Sequence, residues 1–234
     1  MKKFIIFLSC AIVFTNLACA KYYSQIGQDK FVYEHFFKQK KNGVFVDIGA
    51  HDGISYSNTY FFEKNLGWTG ICVEPIPEIF TRLKQNRNCT CIQACVAEKT
   101  KQDKFLYVRE QNMDTEMLSG LLSNFNPDHV QRIERESSKK NQIIFNVTCY
   151  SFNELLEKYG ITHINFLSLD TEGSEFEILN ALDFSKYTID VITVEENHHY
   201  DNFMKLLTSK GYHLEKVLQW DLVFVNNNFK PQSK

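Results

Sequence analysis

The sequence predicts an α/β protein with a mostly parallel sheet and helices on both faces. Apolar, β-rich runs alternate with helical segments through most of the chain, which is typical of a parallel sheet whose strands are joined by helices. The first run, Gly43 to Ile48, ends in an acid and breaks into a glycine-punctuated turn. Other runs also end in acids, which therefore share the edge where such sheets bind ligands.

The predicted strands are short runs rich in β-branched and aromatic residues. In chain order they are Gly43 to Ile48, Thr69 to Glu74, Thr90 to Val96, Phe105 to Val108, Ile143 to Cys149, Ile164 to Leu169, Val191 to Glu195, Tyr212 to Leu218 and Leu222 to Asn226. Because few residues separate the last two runs, we expect them to form a terminal hairpin.

Local signals place the helices between these strands. Pro77 and Glu78 suit the first turn of a helix. Ser151 and Glu154 match a capping box and Gly160 supplies the stop, so Phe152 to Tyr159 is predicted to be a short helix. The other predicted helices lie at Gln28 to Phe37, at Ser57 to Asn65, and after the strands that end at Leu169 and Glu195.

Two further segments have specific predictions. Ser174 and Glu177 match a second capping box, in which Glu175 would favour the helix dipole. A polar insertion near residues 109–142 interrupts the alternation of strands and helices. Its charged run, Arg132 to Lys140, is predicted to be a solvated helix or a mobile loop.

The turn after the first strand predicts a ligand pocket. Asp47 ends the strand, while Gly49 and Gly53 allow the backbone to turn tightly and to approach a ligand. A dinucleotide fingerprint needs a third glycine, but Ala50 and His51 fill the middle of this turn. A glycine-rich phosphate loop is also absent from the sequence.

Glu74 indicates the kind of ligand. It closes the second strand about 20 residues after Gly53, and an acid at that separation commonly accepts hydrogen bonds from ribose hydroxyls. Because the phosphate-binding patterns are missing, the two acids Asp47 and Glu74 predict an adenosyl ligand without phosphates. S-adenosylmethionine fits this description.

Three ordered blocks carry a family resemblance. VDIGAHDG, SNTYFFEKNLGWTGICVEP and LSLDTEGSEFEIL resemble the signature blocks of the FkbM-type methyltransferases, in the branch that includes Star-like proteins, and the likeness runs from about Tyr22 to the C-terminus. It implies a Rossmann-like class I methyltransferase fold with an antiparallel last strand. Many relatives carry a lysine where this chain has Ser168. The expected cofactor-binding residues are Asp47, Gly49, Ala50, Gly53, Glu74 and Asp170.

The resemblance implies O-methylation, which requires a base when the acceptor is weakly acidic. Asp170 ends a strand at the same edge as Asp47, and His198 or His199 follows the last interior strand. We expect Asp170 and His199 to be catalytic, with His51 as a weaker base candidate. The role of Glu172 stays open. We expect no metal, because adjacent histidines leave a strand end in diverging directions.

The acceptor class stays open between a saccharide, a lipid and a small metabolite. The alternative function is a non-catalytic, Star-like binding or trafficking module of the secretory pathway that keeps the methyltransferase fold. The formal net charge of −2 argues against nucleic acid as a partner.

The N-terminus has the pattern of a secretory signal peptide. Met1 to Lys3 supply positive charge, Phe4 to Phe14 are apolar, and Ala18 and Ala20 suit a cleavage site after Ala20. We therefore predict an exported protein with a single domain over residues 21–234. The alternative is an uncleaved anchor, which would give the protein its only membrane contact. Export conflicts with a donor that is made in the cytosol.

The cysteines do not predict a disulfide framework. Of the seven cysteines, Cys10 and Cys19 belong to the leader, so an odd number remains. The others lie in or beside predicted core strands, where a free cysteine behaves as a small apolar residue. We expect buried thiols.

Overall fold

The computed structural model of the chain describes residues 21–109, 112–196 and 199–231. The predicted leader lies outside the described residues. The strands are β1 (Val44–Ile48), β2 (Thr69–Val73), β3 (Thr90–Ile92), β4 (Cys95–Ala97), β5 (Lys101–Val108), β6 (Gly120–Leu121), β7 (Gln142–Ser151), β8 (His163–Leu169), β9 (Thr188–Glu195), β10 (Tyr212–Leu218) and β11 (Asp221–Asn226).

The helices are α1 (Gln28–Val32), α2 (Tyr60–Leu66), α3 (Pro77–Asn86), α4 (Met113–Glu116), α5 (Pro127–Glu136), α6 (Phe152–Lys158), α7 (Glu175–Ala181) and α8 (Tyr200–Ser209). A π-helical turn over Tyr33–Phe37 continues α1, so the predicted helix at Gln28 to Phe37 is confirmed. Pro77 stands in the first turn of α3, as predicted. The Ser151 hydroxyl accepts from the Glu154 N–H at the start of α6. This confirms the Ser151 side of the first predicted capping box.

The main sheet has seven strands in the order β10-β11-β9-β8-β1-β2-β3. Its interior pairs, from β9 through β8 and β1 to β2 and β3, are all parallel. The last strand, β11, is antiparallel to both β9 and β10. The predicted fold class, the antiparallel last strand and the terminal hairpin are therefore confirmed.

The single strand predicted over Thr90 to Val96 is wrong. The chain leaves the main sheet after Ile92, and β4 joins a second, four-stranded sheet in the order β4-β7-β5-β6. An apolar run shows that a segment is buried but not which neighbour accepts its hydrogen bonds, so the sequence could not show this break.

Residues 112–141 lie between β5 and β7 and contain α4, β6 and α5. This part of the predicted insertion thus adds an edge strand and two helices to the second sheet. The charged run Arg132 to Lys140 begins inside α5, which favours the predicted helix over the loop for its first half.

Alternate side chains of the main-sheet strands belong to two apolar cores, one on each face of the sheet. Val46, on one face, packs in a core with side chains of α6, α7 and α8. Phe45, on the other face, packs with side chains of α1, α2 and α3. Because successive side chains of a strand point to opposite faces, this arrangement buries both faces and leaves the strand ends as the open edge.

Within the described ranges, no helix is both long enough and apolar enough to cross a membrane.

Candidate functional site

A cavity of about 540 Å³ opens at the carboxyl ends of the central parallel strands. Residues that follow β1, β2 and β8, together with the end of β9, form its floor, and the second sheet and the insertion form one wall. The volume lies within the usual range for pockets that take small molecules, and the position is the one at which open α/β sheets bind ligands.

The turn after β1 is held close to its neighbours. The N–H groups of Gly49 and Ala50 both donate to the Val73 carbonyl, at 3.1 and 3.0 Å. Gly49 has a φ of 85°, and a Cβ at this position would lie 1.7 Å from the carbonyl oxygen of Asp170. Glycine is therefore required here, because any side chain would force β1 and β8 apart.

Gly53 has a different role. It also has positive φ, but a Cβ there would meet the side chains of Leu83 and Arg87. Gly53 is not among the residues that line the cavity, whereas the other predicted cofactor-binding residues all line it. Gly53 therefore lets α3 pack against the turn rather than admitting a ligand.

Asp47 is buried and belongs to a polar network that the sequence did not indicate. Its carboxylate accepts from the Thr59 hydroxyl at 2.5 Å, and Thr59 in turn accepts from Arg87 at 2.9 Å. Arg87 donates to Glu63 at 2.6 Å and lies 3.9 Å from Asp47. Burial raises the pKa of Asp47, while Arg87 lowers it. This network holds Asp47 in place at the cavity floor.

Glu74 follows β2, the strand that pairs with β1, and is 4% exposed. Its two carboxyl oxygens accept from the backbone N–H groups of His51 and Ile76, at 3.1 and 2.8 Å. Burial raises the pKa of Glu74 to about 7, although these hydrogen bonds oppose the shift. A carboxylate oxygen can accept more than one hydrogen bond, so Glu74 keeps acceptor capacity for a ligand.

His51 joins the turn to the insertion. Its Nε2 lies 3.0 Å from a carboxyl oxygen of Glu116 on α4, which Arg82 also approaches at 3.3 Å. Burial alone would lower the pKa of His51, but Asp52, Glu116 and Glu74 raise it to about 9. The imidazole is therefore protonated near neutral pH, which makes His51 unsuited to the role of base.

Asp170 follows β8 and faces the cavity. Its carboxylate lies among acids, and one carboxyl oxygen from each of Asp170, Glu175 and Glu195 lies within 4.8 Å of the others. Asp170 is itself open to the solvent of the cavity, and its enclosure by the protein, together with the charges of Glu195 and Glu172, raises its pKa well above the ordinary value. The pKa of Glu172 is raised in the same way, by burial and then by Glu195. Such a group suits a cationic ligand, and the prediction that no metal binds stays a prediction.

The predicted capping box of Ser174 and Glu177 is wrong. The Ser174 hydroxyl accepts from the Asn124 amide at 2.7 Å and does not cap α7. Glu175 is almost fully buried and accepts from the N–H groups of Thr171 and Gly173, so it fixes the loop after β8 rather than favouring the dipole from the surface. The sequence pattern did not include Asn124, which the insertion brings to this loop.

A separate part of the cavity is apolar. Its wall is formed by apolar side chains from β2, β4, β5 and β6 and from the segments beside β2 and β4: Val73, Ile76, Ala94, Cys95, Val96, Phe105 and Leu121. The cavity therefore offers one apolar side beside Glu74 and one acidic side around Asp170, an arrangement that can hold a flat apolar ring and a positive charge at once.

The family profile described as Methyltransferase FkbM domain matches residues 47–226, which include the cavity floor from Asp47 to Glu195. The chain belongs to this family. A search of curated protein sequences found no significant match.

Two solved structures are similar to this FkbM-domain chain. Methyltransferase FkbM from Methylobacillus flagellatus KT is 13% identical with a TM-score of 0.45, and the alignment covers 79% of this chain and 43% of that one. Precorrin-6y C5,15-methyltransferase from Geobacter metallireducens GS-15 is 13% identical with a TM-score of 0.42, covering 85% and 88% of the two chains. This chain thus spans less than half of the first structure's length, and we draw nothing about substrate from either.

In this FkbM-domain protein, His199 does not reach the cavity. It precedes α8, its ring stacks on Phe176 with centroids 5.6 Å apart, and it borders a small surface depression beside Glu196. His198 lies outside the described residues. Asp170, the other predicted catalytic residue, lines the cavity together with the predicted cofactor-binding residues. The structure thus places one of the two predicted catalytic residues at this site.

Proposed function

We propose that this FkbM-domain protein is an S-adenosylmethionine-dependent methyltransferase that acts on an oxygen atom. One observation carries the proposal: Asp47, Gly49, Ala50, Glu74 and Asp170, which three separate sequence blocks supply, meet in one cavity at the strand ends. Family membership supports methyl transfer as the chemistry.

The cavity fits the cofactor on chemical grounds. The apolar wall beside Glu74 suits an adenine ring, and Glu74 has acceptor capacity for ribose hydroxyls. The acidic side around Asp170 suits the positive charges of the amino acid portion. The absence of a side chain at Gly49 allows these two sides to come together.

S-adenosylmethionine supplies an electrophilic methyl group on a sulfonium. The protein's own task is then to position an acceptor oxygen in line with that methyl group and to receive the proton that the oxygen loses. We propose that Asp170 takes this proton. Its carboxylate lines the cavity in which an acceptor would lie, whereas His199 does not line it.

The acceptor is proposed to be a hydroxyl of a saccharide, a lipid or another small molecule, and not nucleic acid. Asn58 supports a hydroxyl-bearing acceptor: it is buried, lines the cavity, and its Oδ1 has no hydrogen-bond partner among the described residues. Its amide nitrogen donates to Ser168 at 3.0 Å. A hydroxyl that donates to Oδ1 would satisfy this buried acceptor.

Titration calorimetry with S-adenosylmethionine tests the cofactor. Glu74→Ala should weaken binding by about 1–3 kcal/mol, the usual cost of leaving buried hydrogen-bonding groups unpaired. Glu78→Ala, on the exposed face of α3, is the matched control and should leave affinity unchanged. If the wild type binds neither S-adenosylmethionine nor its demethylated product at millimolar concentration, the enzyme proposal fails and the Star-like binding module is favoured.

Single-turnover rates with an identified acceptor test the base. Asp170→Asn should impair donor binding and turnover together, because the side chain faces both partners. His199→Ala separates the two candidates. If this variant keeps donor affinity within about threefold but loses turnover, His199 acts mainly in the transition state as the sequence predicted, whereas an unchanged rate would mean that His199 is not catalytic. If Asp170→Asn binds the donor and reacts normally, Asp170 is structural and the proposal for the base fails.

We also propose that the leader is cleaved after Ala20 and that the domain is exported, with an uncleaved membrane anchor as the alternative. An exported enzyme needs donor delivered to it, as in a secretory lumen with donor transport, whereas an anchor could keep the domain inside. The leader is also the feature that favours the non-catalytic alternative. Intact-mass analysis of the protein from its native host decides, since a mass that retains residues 1–20 supports the anchor.

A further inference from the structure

The five cysteines of the described residues divide into a pair and a trio. Cys95 on β4 and Cys149 on β7 stand opposite each other in the second sheet. Cys72, Cys89 and Cys91 meet where β2 pairs with β3. All five are free thiols in this structure. These two groups together account for the odd number of cysteines that remain after the predicted leader.

Within the trio, Cys72 and Cys89 are in direct contact. Their sulfur atoms lie 3.5 Å apart, whereas Cys91 directs its thiol to the Cys89 carbonyl at 3.7 Å. Cys72 is fully buried on β2, and Cys89 is half-buried in the bend before β3. A disulfide needs the sulfurs about 2.05 Å apart, so the two sulfurs must approach each other and the bend that carries Cys89 must move to bond them.

We propose that Cys72 and Cys89 form an oxidisable dithiol site that a low-molecular-weight disulfide such as oxidised glutathione converts to a disulfide. The Cys89 thiol, which solvent reaches, loses its proton and attacks one sulfur of the oxidant, releasing one thiolate. The Cys72 thiol then loses its proton and attacks the Cys89 sulfur of the mixed disulfide, releasing the second thiolate. The two released thiolates take up the two protons, so the protein is oxidised by two electrons and the oxidant is reduced by two.

The surroundings make this oxidation slow but consequential. Its hydrogen bond with Cys72 and its burial raise the pKa of Cys89, which keeps the thiolate scarce at neutral pH. Cys72 lies beside Asp47 in the register of β1 and β2, and Arg87 precedes Cys89 by two residues. A disulfide would therefore tie the segment that carries Arg87 to the strand beside Asp47 and lock the network beneath the cavity. This inference does not depend on the proposed methyl transfer.

The test uses the purified full chain, first reduced and then incubated with oxidised glutathione at several pH values. Remaining thiols are blocked by alkylation, and peptide mapping identifies the linked pair. We expect a link between the peptides of Cys72 and Cys89, formed faster at higher pH, and a higher melting temperature for the oxidised protein. Cys91→Ser, which replaces the remaining thiol of the trio, should keep both the link and the shift in melting temperature.

Cys89→Ser should lose both, with Cys72 alkylated once the protein is unfolded. Complete alkylation of wild-type Cys72 and Cys89 after prolonged oxidation would overturn the proposal, as would a link from Cys72 to Cys91. The wild-type peptide map decides by itself if Cys89→Ser fails to fold. Donor binding is measured separately, so its absence bears on the proposed function and not on the dithiol.

Discussion

Replacing Gly49 with alanine tests how closely β1 and β8 approach at the cavity floor. The substitution has two costs. The first is the left-handed backbone, with a φ of 85°, which costs a non-glycine residue about 1–2 kcal/mol, partly offset by about 0.4–1 kcal/mol because alanine restricts the unfolded chain. The second is the collision of Cβ with the Asp170 carbonyl at 1.7 Å, where no side chain can move aside.

Gly211 separates these two costs. It has the same φ of 85°, but no heavy atom lies within 4 Å of a Cβ built there. We expect Gly211→Ala to lower the free energy of unfolding by about 1 kcal/mol. Gly49→Ala adds the overpacking cost of about 1–3 kcal/mol or more, a large part of a typical total of about 5–15 kcal/mol.

Urea denaturation of both variants, with the wild type in parallel, measures the difference. The urea midpoint of Gly49→Ala should fall much further than that of Gly211→Ala, with similar slopes. Equal destabilisation of the two would mean that the Asp170 carbonyl is not in contact with the turn. The account of the cavity floor given above would then be wrong.

Three further predictions concern buried charges. Arg87→Gln should cost about 3–5 kcal/mol of stability in urea denaturation, because it leaves buried carboxylates unpaired. Arg135→Gln is the control, since the Arg135 side chain is 72% exposed, and should stay within about 0.5 kcal/mol of the wild type; similar losses in the two variants would disprove the buried network. The pKa of Glu74 is about 7 in the folded protein against 4.5 ordinarily, so its contribution to stability is complete below pH 4.5 and is lost as pH rises through 7, about 3 kcal/mol in all. Glu74→Gln should remove this part of the pH dependence of stability, and an unchanged slope would mean that the pKa of Glu74 is not raised. Glu116→Gln should lower the pKa of His51 from about 9 in an NMR titration of the imidazole, and an unshifted titration would contradict the contact.

The sequence predicted the parts of the site that depend on one strand and its own turn. Asp47 and Glu74 could be located because each ends a buried run, and parallel strands bring such ends to one edge. Arg87 could not be found in the same way. It follows a helix, and only the packing of α3 against the turn at Gly53 brings it to Asp47.

The histidine prediction shows a second limit. His199 comes four residues after the end of β9 and immediately before α8, and its ring stacks on Phe176. Position at a strand end therefore predicts the level of a residue along the sheet, not the direction of its side chain. The break after Ile92 shows the same limit, because the apolar run predicted a strand but not the partner strands that accept its hydrogen bonds.

The second sheet has a consequence for how the cavity can change during evolution. Residues 95–151 depart from the rest of the fold through β4 and return through β7, and these two strands are adjacent and hydrogen-bonded to each other. A segment whose ends meet in this way can be lengthened, shortened or exchanged as a cassette without altering the spacing of the elements on either side. One wall of the cavity, including Glu116 and Arg132, lies in this cassette, while Asp47, Glu74 and Asp170 lie outside it. Selection can thus remodel what the cavity admits while the opposite half stays constant, and a chimera with a foreign segment between β4 and β7 would reproduce that process in the laboratory.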